Sequence, residues 1–436
     1  MSKSYYIETY GCQMNVADSE LVAGLLQQEG YQPTDRLETA DAIFVNTCAI
    51  REHAEEKVQS RLGYLGQLKA RNPGILIGVL GCMAQHLKED ILDSKSYVDV
   101  VLGPDSYRRL PDLIRDRTAE SGQVASTKLS RFEVYEDLFP SRKEGINAWI
   151  SIMRGCDKFC TFCIVPFTRG RERSRSVESI VEEIERAVQT GFVEITLLGQ
   201  NVNSYLYEGN SFQHLLERIA QVPGLKRIRY TSPHPRDMSE DVLQVMAGHE
   251  NICNSIHLPL QAGSDRILQR MNRTYGKAEF IRLVDKIREM LPVVGISTDI
   301  IVGFPGETEQ EFQETLEVMN HVRFDSAFTF KYSPRPGTKA AEYQDQVSEE
   351  EKQSRLEQLI RLQKKHTLER NQALVGGKEW VLVEKESKRS AEQWAGRTDT
   401  NKWVIFDKGN ARVKELVRVK ITAARGISLH GQLIES

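Results

Sequence analysis

Short apolar, β-branched runs alternate with stretches of helical periodicity along most of the chain. In the first 116 residues, the runs 5–10, 42–46 and 75–80 each stop within two residues of a cysteine. Stretches with apolar residues three and four positions apart follow, for example residues 19–26 and 53–68. Strands that alternate with helices predict a doubly wound parallel sheet covered on both faces.

The same alternation returns at residue 146. Six runs read as parallel strands: 148–153, 193–198, 228–230, 255–258, 295–302 and 324–332. The stretch 177–188 between the first two has the apolar spacing of a helix, and Thr308 with Glu311 forms a predicted capping box. Six strands with intervening helices predict a partial (β/α)6 barrel of the TIM type, with its site at the C-terminal strand ends.

In the last sixty residues the alternation of strands and helices gives way to short β-rich runs. The β-rich runs 379–383, 403–406 and 416–422 are separated by Gly and Asn turns, which predicts a small β-barrel. A slight excess of Lys and Arg with Trp394, Trp403 and Phe406 suits RNA binding, although the aromatic residues could equally form the core. The sequence therefore predicts an α/β protein with domains at 1–116, 146–374 and 375–436, and a polar linker at 117–145.

Composition narrows the class of protein. The formal net charge of −3 on 436 residues gives no overall attraction to nucleic acid, so any RNA contact must use local patches. No apolar run approaches the roughly 20 residues of a membrane helix, and the N-terminus lacks the apolar core of a signal peptide. We therefore expect a cytoplasmic protein whose thiols serve metal or redox chemistry rather than disulfides.

Three cysteines follow the first strand of the predicted barrel closely. Cys156, Cys160 and Cys163 stand at C-x3-C-x2-C spacing. An iron–sulfur cluster normally takes four cysteines, so three would leave one iron open to a small molecule. Zinc would need a fourth Cys or His nearby, and the next histidine is His214.

Three further cysteines come at equivalent strand ends. Cys12, Cys48 and Cys82 each follow a strand of the predicted first sheet. The carboxyl ends of parallel strands share one edge, so these thiols are predicted to converge on a second cluster with an open iron. Chance placement in the core is the alternative reading, and it is the one we prefer for Cys253.

Polar residues also follow the strands of the predicted barrel. Gln200, Asn201, Ser232 and Gln261 could ring a small molecule at the open iron, although each alone also suits a loop or helix cap. Arg169, Arg171, Arg173 and Arg175 form a basic cluster after the cysteine loop. Such a run is usually solvated, with phosphate positioning as the competing interpretation.

These motifs resemble a known family. The three-cysteine loop, with Phe162 before its last cysteine, is similar to the motif of the radical S-adenosylmethionine (radical SAM) enzymes. Residues 11–15, 46–48 and 81–82 resemble the N-terminal domain of the methylthiotransferases among them, and the C-terminal barrel resembles their TRAM domain. Residues 11–15, 165–172 and 198–205 are most similar to the MiaB-type branch, which acts on N6-isopentenyladenosine at position 37 of tRNA. The branch that acts on threonylcarbamoyladenosine is the nearer alternative.

The resemblance implies two 4Fe–4S clusters, one on each cysteine triad, with all six cysteines catalytic. SAM would bind the open iron beside Cys156, Cys160 and Cys163 and be cleaved to a radical. Phe162 would contact its adenine, and the rest of the SAM would be held by Gln200, Ser232 and Gln261. The Cys12, Cys48 and Cys82 cluster would supply sulfur, which a second SAM methylates.

The resemblance also implies partners: the tRNA anticodon stem-loop, a flavodoxin- or ferredoxin-like electron donor, and an iron–sulfur or sulfur donor. We expect a monomer. From the residues alone, two other classes stay open: an iron–sulfur electron carrier, which would not consume SAM, and an RNA-binding scaffold with structural zinc.

Overall fold

The first part of the chain is a six-stranded sheet in which all strands run parallel. The computed structural model describes residues 3–48, 52–115 and 122–434. In spatial order the strands are Gln32–Pro33, Ser4–Tyr10, Ala42–Thr47, Leu76–Gly81, Val100–Leu102 and Val124–Ser126. The helices are Gln13–Gln28, Glu52–Arg71, Cys82–His86, Lys88–Ser94 and Leu110–Arg115.

Alternate strand residues bury opposite faces of this sheet. Phe44 and Leu80 belong to one apolar cluster, whereas Val45 and Val79 belong to another. Helices cover both faces, which confirms the doubly wound sheet. Val124–Ser126 pairs with Val100–Leu102 as the last strand, so the prediction of an irregular linker is wrong for these three residues. Residues 116–121, which overlap the start of that linker, lie outside the described part of the chain.

The central part is a partial barrel of six parallel strands. They are Asn147–Ser151, Glu194–Leu198, Arg227–Tyr230, Ser255–His257, Gly295–Val302 and Ser326–Lys331. A bridge between Ile228 and Ile252 joins the two halves. The first and last of these six are not paired with each other within the described residues, so the barrel is open along one side. All six predicted strands are confirmed, with ends shifted by at most a few residues.

Helices cover the outside of the partial barrel. They are Val177–Gln189, Phe212–Ala220, Glu240–Gly248, Asp265–Arg270, Lys277–Met290, Glu309–Val322 and Glu349–Gln372. Smaller elements in this part are the helix Val165–Arg169 and the strands Met153–Arg154, Arg173–Ser174, Leu206–Tyr207 and Asn210–Ser211. Ile180 and Ile184 show the principle: their helical spacing places both on the buried face of Val177–Gln189.

The helix Glu309–Val322 begins with the predicted capping box. Thr308 Oγ1 accepts a hydrogen bond from the Glu311 backbone N–H, and the Glu311 carboxylate accepts one from the Thr308 N–H. Replacing Thr308 by alanine is expected to lower the free energy of unfolding by about 1 kcal/mol, because a helix N–H loses its partner. Urea denaturation measures this loss. Thr308→Ser keeps the hydroxyl and should keep most of the stability; an equal loss in both variants would contradict the capping argument.

The C-terminal part is a closed five-stranded barrel. Its strands follow the order Lys378–Ser387, Ser390–Thr398, Trp403–Asp407, Ser428–Leu433 and Leu416–Arg425 around the barrel. Val381, Val404 and Phe406 are buried in its core. The prediction of a small β-barrel is confirmed. Two of its strands, Ser390–Thr398 and Ser428–Leu433, were not predicted from the sequence.

A turn of this C-terminal barrel closes the lower end of the central one. Arg229 Nη2 donates to the backbone oxygen of Thr398 at 2.9 Å, within the turn 398–402. Arg229 Nε also bonds one carboxylate oxygen of Glu194 at 2.9 Å, and Arg397 bonds the other at 2.9 Å. Glu194 and Gly295 are the first residues of their strands, and Gly295 lies against Thr400 of the same turn, so this end is opposite to the cysteine loop. We call it the barrel floor.

The N-terminal part lies against the other edge of the central barrel. Helix Gln13–Gln28 packs on strand Asn147–Ser151, and Met14 joins Trp149 and Leu198 in a small apolar cluster. This contact brings the first triad of cysteines toward the end of the barrel that carries the second. Within residues 3–48, 52–115 and 122–434, no helix has both the length and the apolar character of a membrane span.

Candidate active site

The loop 155–163 leaves the first barrel strand and is fixed by backbone contacts. Cys156 N donates to Gly170 O at 3.1 Å, and Cys163 N donates to Cys160 O at 3.0 Å. Asn272 Nδ2 donates to the backbone oxygens of Lys158 and Phe159 at 3.1 and 2.9 Å. These bonds hold a tight loop whose three thiols are all partly exposed.

Gly155 is needed at the start of this loop. Its φ of +81° lies in the left-handed region, and a Cβ there would come within 2.0 Å of Arg171 O. Its N–H donates to Gln200 Oε1 at 2.5 Å. Gln200, predicted to touch the cofactor, therefore also holds the cysteine loop in place.

Arg273 is a site residue that the sequence analysis missed. Its Nη1 lies 3.3 Å from Cys160 Sγ, and its Nε donates to the Tyr275 hydroxyl at 3.0 Å. Burial raises the pKa of Cys156 to about 11 and of Cys163 to about 12, so these thiols stay protonated unless a cation binds them. Nothing in the local sequence around Arg273 marks it, because it reaches the loop only through the fold.

The structure brings the other three cysteines to one edge of the first sheet. Gly11 precedes Cys12, and a Cβ on it would come within 2.6 Å of the Cys48 Cβ. The Cys12 thiol donates to Asn15 Oδ1 at 3.3 Å, and Asn15 Nδ2 donates to Asn46 Oδ1 at 3.1 Å. A hydrogen bond from Cys48 and the nearby charge of Arg169 help to lower the pKa of Cys12 to about 6.

Cys82 begins a short helix that faces the cysteine loop of the barrel. It is buried against Ile164, and helix Cys82–His86 contacts helix Val165–Arg169. Arg169, at the end of that second helix, donates from Nε to Cys82 Sγ at 3.2 Å. A residue of the barrel domain thus bonds a thiol of the N-terminal triad.

A buried ion-pair network fixes this junction. Asp18 is fully buried and accepts from Arg154 at 2.6 Å and from Arg169 at 2.8 Å. Burial acts to raise the pKa of Asp18, but the two guanidinium groups lower it below its usual value. Asp18 comes from the first domain and both arginines from the second. We call these three residues the Asp18 network.

The basic cluster agrees with neither of its two interpretations, a solvated face or a surface that positions phosphate. Arg169, Arg173 and Arg175 are buried, and Arg173 and Arg175 pair with Asp105 at 2.8 Å and with Glu183 at 2.5 Å. Only Arg171 among the four is largely exposed. Phosphate positioning by this run is therefore wrong for three of its four arginines: Arg169 and Arg173 pair with carboxylates of the N-terminal domain, and Arg175 pairs with one of its own domain.

The residues of the predicted polar ring lie beyond the C-terminal ends of the barrel strands, which form the rim that carries the cysteine loop. They differ in what they contact. Ser232 and Gln261 both have positive φ, 58° and 73°, and they lie two and four residues beyond the ends of their strands. Asn201 accepts from His234 N at 3.1 Å and donates to Asp237 at 2.7 Å, so it shapes the rim itself. These positions share one rim, as predicted, and their contact with a cofactor stays a prediction.

Phe162 packs edge-on against Phe304, with ring centroids 6.4 Å apart, and joins the main core as a partly buried residue. It therefore presents only part of its ring to the rim. Its predicted contact with the adenine of SAM is untested by these contacts and stays a prediction.

Both triads fit iron–sulfur clusters in their donor chemistry. Among the described residues, no three Cys, His, Asp or Glu side chains converge closely enough for a single metal ion. Thiolates are the ligands of iron–sulfur clusters, and each thiol of a triad would bind a different iron of the cube, so three thiols need not meet at one ion. Arg169 Nη1 is buried and has no hydrogen-bond partner in the described part of the chain, which suits a neighbouring anionic sulfur group.

Comparisons with known proteins agree with this architecture. Residues 150–319 match the model of the radical SAM superfamily, 4–103 that of the uncharacterized protein family UPF0004, and 372–434 that of the TRAM domain. The radical SAM methyltransferase TsrM from Kitasatospora setae shares the fold with a TM-score of 0.57 at 14% identity, over 78% of this chain and 77% of that one. Fold and site together define a radical SAM protein with an additional N-terminal domain.

Curated relatives are similar over the whole length. The tRNA-2-methylthio-N(6)-dimethylallyladenosine synthase of Parabacteroides distasonis is 50% identical over 99% of this chain and 96% of its own. That of Porphyromonas gingivalis is 49% identical over 100% of this chain and 96% of its own. The chain belongs to the family of tRNA-2-methylthio-N(6)-dimethylallyladenosine synthases.

Proposed function

We propose that the protein is a transferase that places a methylthio group on C2 of N6-isopentenyladenosine at position 37 of tRNA. The observation that carries the proposal is the bond from Arg169 to Cys82 together with the Asp18 network. It ties the N-terminal triad, through Cys82, to Arg169 and Arg154, which flank the cysteine loop of the barrel in the chain, and so favours a reaction that uses both triads. An electron carrier would leave the polar side chains at the barrel rim and the C-terminal domain without a role.

The chain's own residues would hold two 4Fe–4S clusters and SAM. Cys156, Cys160 and Cys163 would hold one cluster, and Cys12, Cys48 and Cys82 would hold the other. When bound, the clusters and SAM supply a radical able to break an unactivated C–H bond and the sulfur that replaces the hydrogen. Phe162, Gln200, Ser232 and Gln261 are the residues that we assign to SAM.

Protein side chains position and shield these groups. Gln200 orients the loop through Gly155, and Arg273 places a positive charge beside Cys160. The floor contact of Arg229 with Thr398 closes the lower end of the barrel to water. Exclusion of water suits radical chemistry, since it limits side reactions.

The C-terminal barrel offers a surface for the tRNA backbone and unstacked bases. Trp380 is 53% exposed, and Arg418 lies over its ring at 5.6 Å. Lys408 lies over Trp394 at 4.3 Å in the same way. Exposed aromatic rings beside cations suit single-stranded RNA.

We assign a flavodoxin- or ferredoxin-like electron donor, a sulfur or iron–sulfur donor, action as a monomer, and a cytoplasmic location. We also assign domains at residues 1–116, to whose sheet the strand Val124–Ser126 is added, at 146–374 and at 375–436.

An anaerobic nucleoside assay tests the proposed function. The protein, reconstituted with iron and sulfide, receives reductant, SAM and tRNA that carries N6-isopentenyladenosine; the RNA is then digested and its nucleosides weighed. We expect a methylthio derivative of that nucleoside, and none from the same tRNA without the isopentenyl group.

Three results would count against the proposal in different ways. Product only from threonylcarbamoyl-modified tRNA would replace the substrate. Cleavage of SAM without any RNA product would keep the radical chemistry and reject the transfer. Protein with both clusters loaded that leaves SAM intact would reject the whole mechanism.

A further inference from the structure

Two large aromatic side chains are exposed on the inner face of the central barrel. In strand Ser326–Lys331, Phe328 is 57% exposed and Phe330 is 42% exposed. The strand register places Phe328 beside Asp299 and Phe330 beside Ile301. The neighbours Ile300 and Val302 point the other way, into the core beneath the helices. Both phenylalanine rings therefore face the hollow of the barrel.

A polar pair adjoins these rings on the same face. His257 Nε2 lies 3.1 Å from an Asp299 carboxylate oxygen, and His257 Nδ1 lies 3.0 Å from the Ser297 hydroxyl. The His257 ring meets Phe328 edge-on, with centroids 5.8 Å apart. Hydrogen-bonding groups and bare apolar surface thus stand side by side. We call Phe328, Phe330, His257 and Asp299 the inner patch.

The position of the inner patch restricts what can cover it. The turn 398–402 closes the barrel floor, and helix Gln13–Gln28 lies along the opposite edge strand. The patch is therefore reached from the cysteine rim or from the open side of the barrel. A concave face on the inside of a barrel suits a small inserted group, such as one extruded base, better than the convex surface of a folded partner.

The chemistry of the inner patch matches a purine that carries an apolar substituent. A purine has hydrogen-bonding edges, which suit His257 and Asp299, and an aromatic face, which suits stacking on Phe328. A branched hydrocarbon group would bury apolar surface against the rings. An unmodified adenine would leave part of that surface exposed to water.

We propose that Phe328 and Phe330 select the N6-isopentenyl group of the target adenosine, while the His257–Asp299 pair receives the polar edge of its base. This inference rests on the proposed function and adds the residues that set its specificity. It assigns a recognition role to these four side chains and no chemical step.

Binding to two short RNAs tests the proposal. The full chain, reconstituted anaerobically, is titrated into fluorescent anticodon stem-loops that carry either N6-isopentenyladenosine or adenosine at position 37. The wild type is expected to bind the isopentenyl RNA about tenfold or more tightly than the other. Phe328→Ala and Phe330→Ala should each reduce this ratio, and the double variant should bring it close to one.

Matched variants separate recognition from damage to the fold. Phe132 is 88% exposed and lies outside the barrel, so Phe132→Ala should keep the wild-type ratio. Phe328→Leu retains an apolar side chain and should keep most of the discrimination. His257→Ala should weaken both RNAs alike, because the polar edge of the base is common to them.

Two outcomes would overturn the proposal: a wild type that binds both RNAs equally, or phenylalanine variants that weaken both RNAs by the same factor. Both outcomes can be told apart from failure of the proposed function. If the proposed function itself were wrong, the wild type would make no methylthio product in the nucleoside assay. If the product forms and the ratio is unmoved by Phe328→Ala and Phe330→Ala, only the inner patch loses its role.

Discussion

Replacing Asp18 by alanine is expected to lower the free energy of unfolding by about 3–5 kcal/mol, because two buried guanidinium groups lose the carboxylate that they share. Asp18 is fully buried, and Arg154 and Arg169 are 4% and 3% exposed at their side chains. Arg154 already has two buried nitrogens without a partner among the described residues, so it has little means of compensation. Denaturant titration measures the loss.

Asp35 provides the control for this prediction. It pairs with Lys143 at 2.8 Å, but both side chains are largely exposed to solvent. Water and salt screen such a pair, so Asp35→Ala should leave the stability within experimental error of the wild type. If Asp18→Ala were as mild as Asp35→Ala, the Asp18 network would not be what fastens the two domains.

The variants Cys160→Ala and Cys48→Ala are both expected to lose the methylthio product, for different reasons. Each substitution removes a ligand from one triad and should reduce the iron content from about eight to about four atoms per chain. Cys160→Ala should also stop the cleavage of SAM, since its triad is the one on the barrel rim. Cys48→Ala should still cleave SAM yet transfer no sulfur.

Iron analysis, nucleoside mass and deoxyadenosine release measure the three effects together. Cys253→Ala is the matched control: this thiol is buried next to the barrel floor, far from either triad in the fold, and should keep the full iron content. Equal loss of SAM cleavage in Cys160→Ala and Cys48→Ala would contradict the division of labour between the triads.

Much of the fold and the position of the cysteines could be predicted from the sequence. A β-rich run that stops at Gly-Cys marks a strand end, and parallel strand ends meet at one edge, so Cys12 and Cys82 could be brought together across seventy residues of chain. The strand Gly295–Val302 was found to the residue because its branched side chains are bounded by Gly on both sides.

The missed strands have a physical reason. Ser390–Thr398 contains Gly396, which reads as a break, yet a Cβ there would come within 2.2 Å of Leu382 O. The glycine is present because the strands of a small barrel approach closely. Gly431 has the same effect in Ser428–Leu433, where a Cβ would meet Val419 at 2.4 Å.

The Asp18 network could not have been predicted from sequence patterns. Hydropathy treats arginine as a surface residue, and Asp18 is 151 positions away from Arg169. An ion pair between distant residues leaves no periodic signal in either segment. The same holds for Arg273, which reaches Cys160 from 113 residues away.

The closure of the barrel floor has a consequence for experiments on the separate domains. The turn 398–402 belongs to the C-terminal barrel, yet it supplies the backbone oxygens that satisfy Arg229 of the central one. A chain shortened before residue 372 would lose the surface that we propose for RNA and, at the same time, leave Glu194 and Arg229 open to solvent from below. Loss of activity in such a truncated chain could therefore result from entry of water into the central barrel as well as from weaker RNA binding. Point substitutions at Trp380 or Arg418 change only the proposed RNA surface and so separate the two effects.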